Sequence, residues 1–462
     1  MTVTVTQNLK PLSRSQTFRK KLFEQLSTKG QPRFVGLFFQ TRFKFEYTMS
    51  PVLPFEILDL IIDIVGENND INVLKVLALV CHSFLQICSK HLFSTVELKD
   101  RFGWEIVHVN IRSSKNLKGF VKLLKRRPDV VKYIRKLTYK ISSADSDCQS
   151  IFSSSLDDDL LSPILPNFLR TIPRLNCLKI NASQLDWYSL NSSLTSAFLH
   201  LMHLPTLNHI DLSNIRNLPL SSLTPSVNLL RLDISHLIGR SPDFVVQSEM
   251  MPKIREFHTS DSPLLTTKLL HVKMKDGRPA VNFTDLRRLS MSFNWRDDGQ
   301  DFLYILRNVK LLESLYLSVG PLVTRSLVGF LSPHAHTLKV LNLKIPFYPW
   351  DSIRLPLGGI CEELEAMAGH NVLESLSCEI RVYELYSKDF IGPVIQNIEK
   401  VLIEPGWSLL RQVSLKVSYS DTRDCTASAE MFAEDLQSLP DEYLSHLSKL
   451  ESVAFDYSVY AF

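Results

Sequence analysis

Glycine is scarce in this chain, with 15 residues in 462. Folds that cradle phosphate on glycine-rich loops, or that need many tight turns, use more of it. The shortage argues against dinucleotide-binding units and β-sandwiches. Long apolar runs are missing as well. A membrane-spanning helix needs about 18 consecutive apolar residues, and the best stretch, Ile57 to Val65, is broken by Asp59 and Asp63. No membrane partner is expected. Charge of one sign is also lacking, since 52 Lys and Arg against 48 Asp and Glu leave only +4. With 45% of residues hydrophobic, that balance excludes intrinsic disorder over most of the chain.

Chemistry is equally sparse. The 7 cysteines, at positions 81, 88, 148, 177, 361, 378 and 425, form no CxxC pair. A scattered odd set reads as reduced thiols of the cytoplasm or nucleus. The 13 histidines include no HExxH and no Cys/His quartet, so no metal site is expected. GxSxG, GxxxxGK and GxGxxG are all absent, which removes the common nucleophile and phosphate-binding signatures. The chain is thus expected not to be an enzyme, with no catalytic residues and no cofactor.

Leucine fills the space that glycine leaves, at 73 residues or close to one in six. From residue 131 onward a phrase recurs: apolar, two variable, apolar, one variable, usually apolar. It starts at Ile134, Leu175, Leu207, Leu229, Ile254, Leu286, Leu312, Leu338, Leu373, Leu410 and Leu450. The steps between starts scatter around the period of leucine-rich repeats. If positions 4 and 6 of a phrase face a core, positions 3, 5 and 7 must face the other way. Of the 33 residues at those alternate positions only Cys177, Tyr316, Val340 and Ala454 are hydrophobic. One-sided strands follow. Apolar spacing typical of helices fills most intervals, for example Leu194–Leu204 and Ile391–Ile403. Strand, helix and parallel strand in succession give an α/β solenoid.

The sequence before residue 131 is organised differently. Residues 1–50 carry 9 Lys and Arg against 2 Glu and read as a poorly ordered basic extension. Residues 51–98 read as three short helices, and 99–130 as a connecting helical segment. Lys115 to Lys140 holds ten cations and one acid, Asp129. Phe120, Val121, Leu123 and Leu124 alternate with those cations, so a solvated helix face is expected there and nucleic acid is not an expected partner.

Three pieces of residues 51–98 carry a resemblance. They are Leu53-Pro54-Phe55-Glu56-Ile57-Leu58 with Ile61, then Leu79-Val80-Cys81-His82-Ser83-Phe84, and Lys90-His91-Leu92-Phe93. In order, spacing and character the segment 51–98 resembles an F-box, and residues 120–137 extend the resemblance to fungal F-box proteins with degenerate leucine-rich repeats. Phe84 stands where the family often has tryptophan, and Phe55 where a small residue or proline is common. The resemblance implies an N-terminal three-helix F-box followed by an irregular leucine-rich-repeat-like α/β solenoid with a parallel concave sheet. It also implies a substrate receptor of an SCF cullin–RING ubiquitin ligase. Leu53, Pro54, Ile57, Leu58, Ile61, Leu79, Val80 and Phe84 would then contact the Skp adaptor protein, and through it a cullin. The solenoid, over 131–462, would bind a protein substrate, with Arg231, Asp233, Arg288 and Tyr316 as its candidate face. The alternative is a repeat-type interaction scaffold acting outside any ligase. The regular asparagine that closes each turn of a standard leucine-rich repeat is absent; Ser183 and Leu237 hold that place in two phrases.

Overall fold

A computed structural model describes residues 54–68, 70–104, 109–113, 115–143, 164–219, 222, 223, 225–237, 252–260, 262, 269, 273, 274, 277–293, 299–319, 329–347, 359–383, 388–420 and 426–461. The basic extension expected over 1–50, and Leu53, lie outside these residues. The chain divides into two compact units, 1–61 and 62–462. In the first, the described residues are Pro54 and the start of helix α1 (Phe55–Glu67). Proline has no N–H to leave unsatisfied at a helix start. Its carbonyl accepts the first helical bonds, from the N–H groups of Ile57 (3.0 Å) and Leu58 (3.3 Å).

The second unit opens with the end of α1, followed by α2 (Ile71–Leu77) and α3 (His82–Leu92). Asp70 caps α2 by accepting the Val73 N–H at 3.2 Å. The helical core is small: Ile62, Leu74 and Cys88, with Val65, Leu77, Phe84 and Leu92 packed against it. Gly66 lets α1 and α3 touch, because a Cβ there would lie 2.2 Å from the His91 ring. Beside it His91 Nε2 and Lys90 Nζ reach Asp63 Oδ1 at 2.6 and 2.8 Å.

Thirteen strands then form one open sheet. They begin with β1 (Thr95–Trp104), β2 (Val109–Ser113), β3 (Lys136–Ser143), β4 (Cys177–Asp186), β5 (His209–Arg216), β6 (Arg231–Ser235) and β7 (Glu256–Ser260). They continue with β8 (Arg288–Phe293), β9 (Ser314–Val319), β10 (Val340–Phe347), β11 (Ser375–Val382), β12 (Gln412–Tyr419) and β13 (Ala454–Ala461). β2 lies at one edge beside β1, and β3 to β13 follow in chain order. Only β1 and β2 pair antiparallel; the other neighbours are parallel. A parallel step needs a crossover connection. Helices α5 (Ile164–Arg170), α6 (Ser192–Met202), α7 (Gly299–Asn308), α8 (Ile360–Met367), α9 (Lys388–Ile403) and α10 (Thr426–Tyr443) supply six of them.

Each of the eleven phrases contains one strand, β3 to β13. Their apolar positions meet the return helices in a single core running from Val96 to Leu447. In β10 buried and half-buried residues alternate along the whole strand. Parallel sheets are ordinarily covered on both faces. Here core residues occupy one face only, which is what stacked repeats produce when every return lies on the same side. The last strand departs from its phrase. Gln412 pairs with Ala454 where the phrase would place Ser452. A slip of two keeps the side-chain parity, so the core face is unchanged.

The segment 99–130, expected as a helical connector, holds the rest of β1 and all of β2 before helix α4 (Lys115–Arg126). The strand signal is short. Val96 and Leu98 are buried between exposed Thr95 and Glu97, inside the stretch that resembles the end of an F-box.

Different buried polar groups close several of the turns that lead into the strands. Asn371 donates to the carbonyls of Met367 (3.1 Å) and Gly406 (2.8 Å) and accepts the Leu373 N–H at 3.2 Å. Ser226 donates to the Met202 carbonyl. Glu363, 1% exposed, accepts backbone N–H bonds from Gly329, from Leu331 at 2.7 Å and from Ser332 at 3.1 Å. Glu399 accepts from His446 and Leu447 at 2.8 and 2.9 Å. These four turns thus satisfy their buried backbone in different ways.

Candidate functional site

The polar face of the sheet gathers its charges in rows, because parallel strands in register place equivalent residues side by side about 4.8 Å apart. One row is uncharged: Ser213, Ser235, Ser260, Ser292 and Ser318 pair consecutively across β5 to β9. It is bounded by Asn181 on β4 and Lys344 on β10. The five hydroxyls span roughly 19 Å at that strand spacing. These small side chains lie in an open depression of about 520 Å³. Ser235, Ser260, Ser292 and Ser318 line it together with Arg231, Asp233, His258, Tyr316 and Arg381.

Asp233 is the hub of the adjoining ion network. Arg231 reaches it through Nε at 3.1 Å, and His209 Nε2 lies 2.9 Å from Oδ2. Arg231 also contacts Glu256 at 3.3 Å, and Arg288 reaches the same glutamate at 3.1 Å. One strand back, Lys179 Nζ sits 2.5 Å from Asp211. Burial alone would raise the Asp233 carboxyl, but the bonds from His209 and Arg231 outweigh it and hold it below the usual carboxylate range. Burial likewise opposes charge on His209, yet hydrogen bonds to Asp233 and Cys177 push the imidazole up to about 9. His258 goes the other way. Burial lowers it, and its Nε2 is enclosed without a hydrogen bond among the described residues, 3.9 Å from Asp233 Oδ1. A second network centres on Glu379, with Lys344 at 2.7 Å, Arg381 at 3.2 Å and the Ser418 hydroxyl at 3.1 Å. Burial opposes its charge, but hydrogen bonds from Lys344, Tyr460 and Arg381 outweigh burial and hold the Glu379 carboxyl below its ordinary range.

Among the described residues, His209, Asp211 and Asp233 form the one group with metal-ligand character, their ligand atoms lying within 4.8 Å of one another. Lys179 already neutralises Asp211, and Arg231 forks Asp233. A dication would have to displace both, so the donor set fits a protein ion network better than a metal centre.

Of the four residues expected to face a substrate, Arg231, Asp233 and Tyr316 line the same depression. Burial followed by the nearby Glu379 charge raises the Tyr316 hydroxyl above its ordinary range. Arg288 lies outside that lining, its side chain 63% exposed. Cys177, His209 and His258 were not singled out by sequence. Their signal is positional: Cys177, His209 and Arg231 hold the third place of consecutive phrases and pair across β4, β5 and β6.

Of the residues that the F-box resemblance marks, Pro54 and Ile57 are exposed on the first unit, while Leu58 and Ile61 are half-buried. On the second unit Leu79 is 87% exposed and Val80 64%. Phe84 is half-buried against the small helical core. No helix among the described residues is long and apolar enough to cross a membrane. No protein-family model matches the chain, and no curated protein does.

Proposed function

We propose that this chain is a substrate-recognition adaptor: its N-terminal helices dock the Skp adaptor of an SCF-type ubiquitin ligase, and its sheet binds the protein to be modified. The observation that carries the reading is Leu79, 87% exposed, next to Val80 at 64% and Val76 at 59%. Large apolar side chains held out in water beside a three-residue core suit a surface made for a partner. The sheet supplies a broad polar face with a depression, which suits a protein surface better than a small reactant. Acceleration would come from raising the local concentration of the target at the ligase, not from side chains of this chain.

A second reading is a scaffold in which the helices cap the repeat array. It is favoured by the Ser94 carbonyl just after α3, which accepts the N–H groups of Arg135 (2.8 Å) and Lys136 (2.9 Å) at the start of β3. Capture of purified Skp adaptor separates the two. The adaptor reading expects binding that Leu79→Asp with Val80→Asp abolishes in a folded protein. Absence of binding by the unaltered chain overturns it in favour of the scaffold.

A further inference from the structure

Cys177, His209 and Asp233 stand in line across three neighbouring strands. Cys177 Sγ lies 3.3 Å from His209 Nδ1, and His209 Nε2 lies 2.9 Å from Asp233 Oδ2. Nucleophile, base and orienting carboxylate within hydrogen-bond reach are the geometric signature of an activated thiol. The alternation of β4 sends Leu178 and Ile180 into the core and turns Cys177 and Lys179 to the polar face. Cys177 is therefore 9% exposed: sheltered, but open to a small reagent.

We propose that Cys177 is a nucleophilic thiol, with His209 as its proton partner and Asp233 as a positioning residue, and that its reactant is a small electrophile of the peroxide class. The ring and the thiol share one proton. Protonated, the imidazole donates Nε2–H to Asp233 and Nδ1–H to an anionic sulfur; neutral, it accepts the thiol proton at Nδ1. The sulfur attacks one peroxide oxygen, an S–O bond forms and the O–O bond breaks. The shared proton passes to the departing oxygen, which leaves as water. Sulfur is oxidised to the sulfenic acid and the peroxide is reduced, so atoms and electrons balance without a further reactant.

Charged groups on the neighbouring strands surround the pair. Lys179 is on the same strand, and Lys136 is the register partner of Cys177 on β3. Asp211 on β5 is neutralised by Lys179, Asp233 on β6 by Arg231, and His258 on β7 completes the groups facing the pair. Cys81 offers an internal comparison. It is exposed, whereas Cys88 and Cys378 are buried.

The test is competitive labelling of the full chain with limiting iodoacetamide, read peptide by peptide in a mass spectrometer. The expectation is that sheltered Cys177 reacts at least as fast as exposed Cys81. His209→Asn should slow Cys177 by about tenfold or more, a fraction of the roughly 10²–10⁴-fold that a positioned base can supply, while Cys81 keeps its rate. Hydrogen peroxide followed by dimedone should trap a sulfenic acid at Cys177 ahead of Cys81. Asp233→Asn should move the pH midpoint of Cys177 alkylation, and Asp233→Glu should restore it; an unmoved midpoint removes Asp233 from the relay. Labelling of Cys88 and Cys378 would reveal an unfolded variant. The comparison within the unaltered protein decides the proposal even then, because slower labelling of Cys177 than of Cys81 overturns it.

Discussion

His209 Nε2 lies 2.9 Å from Asp233 Oδ2, although the strand register pairs His209 with Arg231. The imidazole thus reaches diagonally, two residues along the neighbouring strand, to a carboxylate that Arg231 also holds. One half-buried acid carries two cations, and the geometry sets how the sheet responds to pH.

The pair predicts stability that falls in mild alkali. The folded chain holds the His209 imidazole up to about 9, against about 6.5 in an unfolded chain. A raised value means the stabilisation is fully present below about 6.5 and is lost as pH climbs through about 9. A shift of that size corresponds to at most about 3 kcal/mol, and solvent screening reduces it to about 1–2 kcal/mol. Thermal melts between pH 6 and 9.5 should show a falling midpoint in the unaltered protein and a flatter profile in His209→Gln. Parallel profiles in the two proteins would dissociate the effect from this pair.

The two faces of the sheet predict opposite mutational costs. Leu212, 0% exposed on β5, should lose about 2–5 kcal/mol on truncation to alanine, from lost transfer energy and the cavity left behind. Ser290, on the open face of β8, should change stability by about 0.5 kcal/mol or less when made alanine. Urea unfolding of both variants checks the contrast, and equal costs would mean that the polar face is also packed.

Much of this arrangement was readable beforehand because a solenoid writes its core as a repeating phrase. Strand parity follows from alternation alone, so Leu232 and Ile234 could be set inward and Arg231 and Asp233 outward without any structure. Which outward residues meet is another matter. Cys177 and His209 are 32 residues apart yet both hold the third place of their phrases, so alignment of the phrases joins them. The diagonal reach of His209 to Asp233, by contrast, has no sequence signal. The first strand was missed for a related reason, since Val96 and Leu98 give only two core positions before the pattern stops. Arg288 shows the limit of arguing from parity, because it faces the expected side yet contributes to Glu256 and not to the depression.

Glu363 predicts a large stability penalty away from the polar face of the sheet. Its carboxylate lies in the core and satisfies three backbone N–H groups of residues 329–332. Removing it in Glu363→Ala leaves those donors buried and unpaired, which should cost about 3 kcal/mol. Glu363→Gln keeps one acceptor oxygen and should recover part of that loss. Denaturant midpoints rank the three proteins, and an alanine variant as stable as the parent would contradict the turn-closing role.

Leu79 and Leu74 give the sharpest separation between docking and packing, because they lie five residues apart with opposite exposure. Leu74 is 0% exposed in the small helical core, whereas Leu79 is 87% exposed. Truncating Leu74 to alanine should therefore destabilise the helices by about 2–5 kcal/mol. Truncating Leu79 should cost no more than about 0.5 kcal/mol, as surface changes usually do. Hydrogen exchange of the α2 and α3 amides reads both effects locally: protection should fall for Leu74→Ala and hold for Leu79→Ala. If exchange accelerates equally in both, Leu79 is a packing residue, and its exposure no longer argues for a partner. If only Leu74 matters, this large apolar side chain contributes little to the fold that holds it, which is the energetic pattern a binding residue leaves in the unbound protein.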